Sequence, residues 1–172
     1  TLALTLALCR QVFALDAEAK RLGWKIEVAA KMRRLRTLTF GLVGLGRIGI
    51  ATALRAKALG FRVVFYDPHL SHGVHKAVGI ERSFALDDLL RQSDVLSIHC
   101  PSSPETRGLI GARELSLLQP TSYLINTARG DIVQKAPLFA ALREGRLGGA
   151  GLDVVEGEPL RTAEEAATPN LI

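Results

Sequence analysis

Gly44, Gly46 and Gly49 stand in G-x-G-x-x-G spacing within Gly44-Leu45-Gly46-Arg47-Ile48-Gly49, and Asp67 follows eighteen residues after the last of them. That combination suits a pyrophosphate flanked by a ribose. Gly44 permits a tight turn, Gly46 lets phosphate oxygens reach the backbone, and Gly49 lets a helix lie close on a strand. A helix starting there offers free N–H groups and the positive end of its dipole to the phosphates. Asp67 can accept hydrogen bonds from both hydroxyls of an adenosine ribose, and its charge would repel a 2′-phosphate, which favours NAD over NADP. Glycine-rich turns are common, so the weight rests on the strand before, the helix after, and the acid at the end of the next strand.

Three further charged residues invite chemistry. Arg129 follows the small residues Asn126-Thr127-Ala128 and precedes Gly130. A guanidinium there can grip a carboxylate through two parallel hydrogen bonds and polarise a neighbouring carbonyl; the alternative is a salt bridge to Glu156 or Glu158. Glu158 can orient a histidine and raise its pKa, or it can be a solvated acid in a turn. Asp153 can hold a carboxamide amine or simply end a strand. His69, His72 and His75 are evenly spaced, but no carboxylate or cysteine joins them, and they are read as loop histidines rather than metal ligands.

The elements that must position these residues alternate along the chain. Leu2 to about Leu22 reads as one long helix, apolar first and amphipathic after Arg10, ended by Gly23-Trp24-Lys25. Its apolar start suggests burial against another domain or subunit as well as this one. Residues 25–37 read as an irregular basic connection. Thr39 to Val43 and Arg62 to Tyr66 are strands buried on both faces, joined by a helix from Ile48 to Leu59 that Gly60 caps. Pro68 to Gly79 reads as loop, Ile80 to Arg82 as a short strand, and Ser83 as the cap of a helix through Arg91. Strands follow at 94–99, 122–126 and 149–154, with helices at 111–118 and 136–143. About six buried strands alternating with helices give an α/β fold, a doubly wound parallel sheet of order 3-2-1-4-5-6. In such sheets ligands sit at the carboxyl ends of the strands. Gly44 to Gly49, Asp67, Cys100-Pro101, Thr127 to Arg129 and Asp153 all fall there.

Length and charge bound the rest. The chain has 172 residues, 48% hydrophobic and 23% charged, as expected of one globular domain. Its net charge of +5 lies within residues 1–36, which hold eight Lys/Arg against Asp16, Glu18 and Glu27; residues 37–172 are neutral. The expected organisation is thus a helix and basic connection over 1–36 and a dinucleotide-binding domain over 37–172. Lys31, Arg33, Arg34 and Arg36 have no interleaved aromatics or recognition motif, so they read as a solvated face and not a nucleic-acid site. The opening TLALTLAL is too short to span a membrane. Cys9 and Cys100 match no metal or redox spacing and fit a reduced, cytoplasmic setting.

The runs GLVGLGRIG, YDP at Tyr66 to Pro68, HCPSSPETRGLI at His99 to Ile110, INTARGDIV at Ile125 to Val133 and GLDVVEGEP at Gly151 to Pro159 together closely resemble the D-isomer-specific 2-hydroxyacid dehydrogenases. Within that family the chain looks most like the phosphoglycerate dehydrogenase branch and the C-terminal binding proteins, which are NADH-sensing corepressors. The resemblance implies a Rossmann fold, a homodimer, and hydride exchange between NADH and C2 of a small 2-oxo acid; the alternative is an NADH-sensing module without turnover. It places Gly44, Leu45, Gly46, Arg47, Ile48 and Asp67 at the pyrophosphate and ribose. Cys100, Pro101, Thr106, Thr127, Ala128 and Asp153 become further cofactor contacts. Arg129 becomes the substrate carboxylate and carbonyl ligand, and Glu158 the partner of a catalytic histidine. That histidine is expected just beyond Pro169-Asn170-Leu171-Ile172, and the substrate domain outside the chain, so these 172 residues are expected to bind cofactor with little or no turnover. Gln134-Lys135 depart from the acids the family usually has at that helix start, with loss of a favourable cap.

Overall fold

The computed structural model describes residues 1–21, 23, 26–30, 32–71 and 73–172. Helices α1 (Leu2–Cys9), α2 (Val12–Lys20) and α3 (Ile26–Ala30) and a 3-10 turn (Leu35–Thr37) lead into β1 (Thr39–Val43). The chain then alternates through α4 (Arg47–Ala58), β2 (Arg62–Tyr66), α5 (Val74–Val78), β3 (Glu81–Arg82), α6 (Leu86–Gln92) and β4 (Val95–Ile98). It continues with α7 (Ala112–Leu117), β5 (Tyr123–Asn126), a 3-10 turn (Gly130–Ile132), α8 (Lys135–Arg143), β6 (Gly149–Leu152) and α9 (Ala163–Ala166). The six strands form one parallel sheet in the order β3-β2-β1-β4-β5-β6, as the alternation predicts.

Every residue of β1, β4 and β5 is buried, because helices cover both faces. Leu89 and Leu90 of α6, Leu115 of α7 and Leu138, Phe139 and Leu142 of α8 pack with Val43, Leu96, Ile98 and Leu124 in one core. Ala53 and Ala56 of α4 and Leu8 and Cys9 of α1 pack with Phe40, Leu42, Phe65 and Ile125 in the other. The direction of winding reverses between β1 and β4, which opens a crevice at their carboxyl ends.

The single helix expected over Leu2 to Leu22 is two. α1 lies on β5 and β6, where the strand residues Gly149 and Gly151 make room; a Cβ on Gly151 would come 2.9 Å from Leu4 Cβ. The apolar start packs on the chain's own sheet with Thr5, Leu8 and Cys9 inside, while Leu2, Leu4 and Leu6 are half-buried. Beyond it the helix breaks at Gln11, which takes a left-handed φ of 53° while its Nε2 donates to Leu8 O and Tyr123 Oη. No residue of α2 is buried.

Smaller departures have local causes. Residues 26–30 and 35–37 are helical turns within the expected irregular connection, and Val74–Val78 is helical within the expected loop. Ser83 does not cap α6: its hydroxyl donates to Ala85 O, and the helix begins at Leu86. Arg33 is not part of a solvated face, since it pairs with Asp94 at 2.6 Å, and Asp94 also accepts Thr39 N–H at 2.8 Å, which fastens the lead-in to the sheet. Trp24, Lys25, Lys31 and His72, named in the sequence expectations, and Leu22 lie outside the described residues. Among the described residues no helix is long and apolar enough to cross a membrane.

Candidate dinucleotide site

The turn from β1 into α4 is built on its glycines. Gly44 has φ +93°, and a Cβ there would also lie 2.7 Å from Cys100 N, so the position needs both the conformation and the absence of a side chain. Its N–H donates to Tyr66 O at 2.8 Å. A Cβ on Gly49 would fall 2.6 Å from Gly44 O, so the first turn of α4 lies directly on the loop that precedes it. Gly46 differs: nothing stands within 4 Å of a Cβ built there. It occupies the N-cap of α4 with no side chain capping the helix, leaving amides and exposed Arg47 and Ile48 at an open mouth. An anion fits that arrangement.

Asp67 ends β2 beside this turn. Its Oδ2 accepts the Leu45 N–H at 2.9 Å and its Oδ1 the His69 N–H at 3.0 Å, so the carboxylate is fixed and also ties the glycine loop to β2. The Leu45 side chain is buried in the core, so any contact it makes with a ligand is through its backbone. Arg82 donates to Asp67 O at 2.8 Å and lies over the Phe65 and Phe84 rings, bracing the same strand end from β3.

Beyond β4, His99-Cys100-Pro101 line the floor. His99 Nε2 and Ser97 Oγ are 2.8 Å apart, and burial holds the imidazole down at about 4. It is therefore neutral at physiological pH. Burial pushes the Cys100 thiol up to about 11, so it is not a thiolate nucleophile. The Thr106 hydroxyl donates to Pro101 O at 2.7 Å and accepts Ser103 N–H at 2.8 Å, shaping the loop that carries Pro101.

After β5 the turn 127–129 is set by a residue the sequence reading passed over. Asn126, almost fully buried, accepts Ala128 N–H at 3.1 Å and donates to Arg129 O at 2.9 Å. A buried amide ending an apolar strand was the available signal. Arg129 is exposed, its Nη1 donates to Ala128 O, and among the described ion pairs it takes part in none. Glu156 instead accepts the Lys135 N–H, and Glu158 the Val155 N–H. Thr127 Oγ1 lies 2.6 Å from Thr1 Oγ1, so α1 reaches the site.

Two cavities meet across these strand ends. The larger, about 1110 Å³, runs from Gly46, Arg47 and Ile48 past Cys100 and Pro101 to Thr127, Ala128 and Arg129. The smaller, about 400 Å³, holds Gly44, Asp67, His69 and Thr106, and both share Gly46, His99, Cys100 and Pro101. The result is a trench with an anion cradle in the middle, an acid at one end and an arginine at the other. Asp153 and Glu158 are exposed beyond β6 and line neither cavity. His69 stands at the smaller cavity and His75, on α5 and not in a loop, packs on Phe65, so the two serve different surroundings.

Sheet order, glycine cradle and acid at the end of β2 define a Rossmann-type dinucleotide-binding domain. The chain belongs to the family described as D-isomer specific 2-hydroxyacid dehydrogenase, NAD binding domain, whose model matches residues 2–172. It is similar to a glyoxylate reductase of Aeropyrum pernix, with 42% identity over 167 residues that cover 93% of this chain and 49% of that protein. A glyoxylate reductase of Korarchaeum cryptofilum is 39% identical over 161 residues, 92% of this chain and 48% of that one. The chain thus spans about half the length of the curated relatives it matches. Among solved structures, the D-lactate dehydrogenase of Aquifex aeolicus, complexed with NAD and lactic acid, matches with a TM-score of 0.89 and 33% identity over 100% of this chain and 56% of that one. The D-mandelate dehydrogenase of Rhodotorula graminis matches with a TM-score of 0.89 and 32% identity, covering 99% and 52%.

Proposed function

We propose that these residues are the cofactor-binding half of an enzyme that exchanges a hydride between NAD(H) and C2 of a small 2-oxo or D-2-hydroxy acid. Bound NADH supplies the hydride; the chain supplies position, charge and part of the proton path. The N-terminal amides of α4 with Gly46, Arg47 and Ile48 would hold the pyrophosphate, and Asp67 the adenosine ribose. Thr127 and Ala128 would border the nicotinamide half and Cys100 and Pro101 the middle of the trench, with Thr106 shaping the loop on the Asp67 side; Asp153, outside both cavities, would reach only the carboxamide end.

Arg129 would take the substrate carboxylate and polarise the C2 carbonyl, drawing charge onto the oxygen as it becomes an alkoxide. Glu158 would orient and charge a histidine that protonates this oxygen, supplied from outside these 172 residues. The observation that carries the reading is the exposed Arg129, paired with neither Glu156 nor Glu158, on the wall of the trench that also holds Gly46. The named relatives support small 2-oxo acids as the substrate class.

The test follows NADH absorbance for the full-length protein with glyoxylate, hydroxypyruvate, pyruvate and phosphohydroxypyruvate, beside direct NADH titration. Arg129→Ala should lower kcat/KM by about a hundredfold or more, with NADH affinity changed by less than about threefold. NADH binding without turnover on any substrate would move the reading to a sensing module. Absence of NADH binding would overturn the site itself. The same reading includes a homodimer, supported by Val12 and Phe13, which remain about half exposed on α2; a monomer by light scattering would exclude it.

A further inference from the structure

A lysine in the first turn of a helix opposes the helix dipole, so Lys135 at the start of α8 needs another reason to be there. Gln134, at the N-cap, gives no side-chain cap; its amide donates to Gly108 O. The acceptor for this helix start comes from beyond β6. Glu156 Oε2 accepts the Lys135 N–H at 2.8 Å, and Lys135 Nζ lies 2.7 Å from Glu165 Oε1, with the two side chains only 23% and 17% exposed. Glu165 is itself held in place: its Oε2 accepts the Arg161 N–H at 2.6 Å and the Thr162 N–H at 3.3 Å, while its own N–H donates to Thr162 Oγ1 at 3.1 Å.

The segment carrying Glu158 is thus fastened on both sides to one residue. It also lies on the turn that carries Arg129: a Cβ on Gly130 would come 2.3 Å from Val155 O and 2.8 Å from Glu156 N. Arg129 and Glu158 leave different strands, and this contact together with Lys135 couples their positions. The Lys135 ammonium, followed by the Arg161 amide, holds the Glu165 carboxyl down at about 2, so the pair stays charged through any practical assay range.

We propose that Lys135 is a positioning residue: through its backbone to Glu156 and its ammonium to Glu165, it fixes the loop that presents Glu158 relative to the Arg129 turn. The proposal rests on Glu158 orienting a proton-donating histidine. A loosened Glu158 raises that histidine's pKa less, so the protonated form is lost at lower pH and 2-oxo acid reduction fails earlier on the alkaline side.

The test compares Lys135→Met and Lys135→Arg in the full-length protein. Three readouts are taken: kcat/KM against pH for 2-oxo acid reduction, NADH affinity, and amide exchange over residues 153–166. Lys135→Met should lower kcat about tenfold, shift the alkaline limb to lower pH, speed exchange at Val155, and leave NADH affinity within about twofold. Lys135→Arg keeps the charge and should stay within about threefold of the parent in kcat. A Lys135→Met protein with an unmoved limb, or one slowed only in proportion to a lost folded fraction, overturns the proposal. If the parent protein reduces no 2-oxo acid, the dehydrogenase reading falls separately, and exchange decides the clasp. Faster exchange at Val155 in the Met variant, restored in the Arg variant, supports the clasp; unchanged exchange overturns it.

Discussion

Lowering the pH should withdraw stability from this fold through one residue, His99, in an amount fixed by its burial. The imidazole has an ordinary value of 6.5 and is held at about 4 in the folded chain, chiefly by burial. Its folded-state pKa is depressed, so the unfolded chain binds the proton more readily. Its contribution is therefore intact above pH 6.5 and is lost as pH falls toward 4. At pH 5 the linkage relation gives a loss of about 2 kcal/mol relative to pH 7, approaching about 3 kcal/mol at pH 4. The paired measurement is denaturant unfolding of the parent and of His99→Gln at pH 7 and pH 5, the glutamine amide being able to keep a bond to Ser97 Oγ. The parent should lose about 2 kcal/mol more than the variant between the two pH values. Equal losses in both, or an NMR titration placing His99 near 6.5, would refute the reasoning that its neutrality is enforced by the packing of β4 beneath the glycine loop.

Two further outcomes follow from the trench. Gly49→Ala puts a methyl group 2.6 Å from Gly44 O, and the loop can relieve this only by moving the cradle. NADH affinity should fall by about tenfold or more while the far-ultraviolet dichroism is retained, as read by fluorescence titration. Asp67→Ser removes the charge that disfavours a 2′-phosphate and also the acceptor of the Leu45 and His69 amides. The ratio of NADH to NADPH affinity should drop by about tenfold or more, with NADH binding itself weakened, and an unchanged ratio would remove Asp67 from cofactor selection.

Much of this arrangement is legible in the chain because its signals are local. Strands buried on both faces appear as runs such as Phe40 to Val43 and Val63 to Tyr66 whether or not one knows their neighbours. The punctuation by Gly44, Gly60 and Pro101 marks where those runs must end. Alternation of strand and helix then restricts the sheet to a few orders, and the right-handed crossover rule selects among them. Where sequence reading fails, the deciding partner is distant. The break at Gln11 depends on Tyr123, and the anchoring of Arg33 depends on Asp94. The start of α8, apparently left without an acid, is served by Glu156. Local propensity carries no information about any of these pairs.

The sequence by itself determined the fold class, the glycine cradle and its acid, and the set of residues gathered at the strand ends, because each follows from periodicity or from the backbone demands of glycine. Tertiary structure alone decided how those residues are used. Asp67 is clamped by two amides, His99 is kept neutral, and Thr106 spends its hydroxyl on its own loop. Arg129 pairs with neither Glu156 nor Glu158, which accept the Lys135 and Val155 amides. A side chain's type fixes what it can donate, accept or titrate. Which of these it does depends on burial and on partners brought from other strands, and those exist only once the sheet has closed.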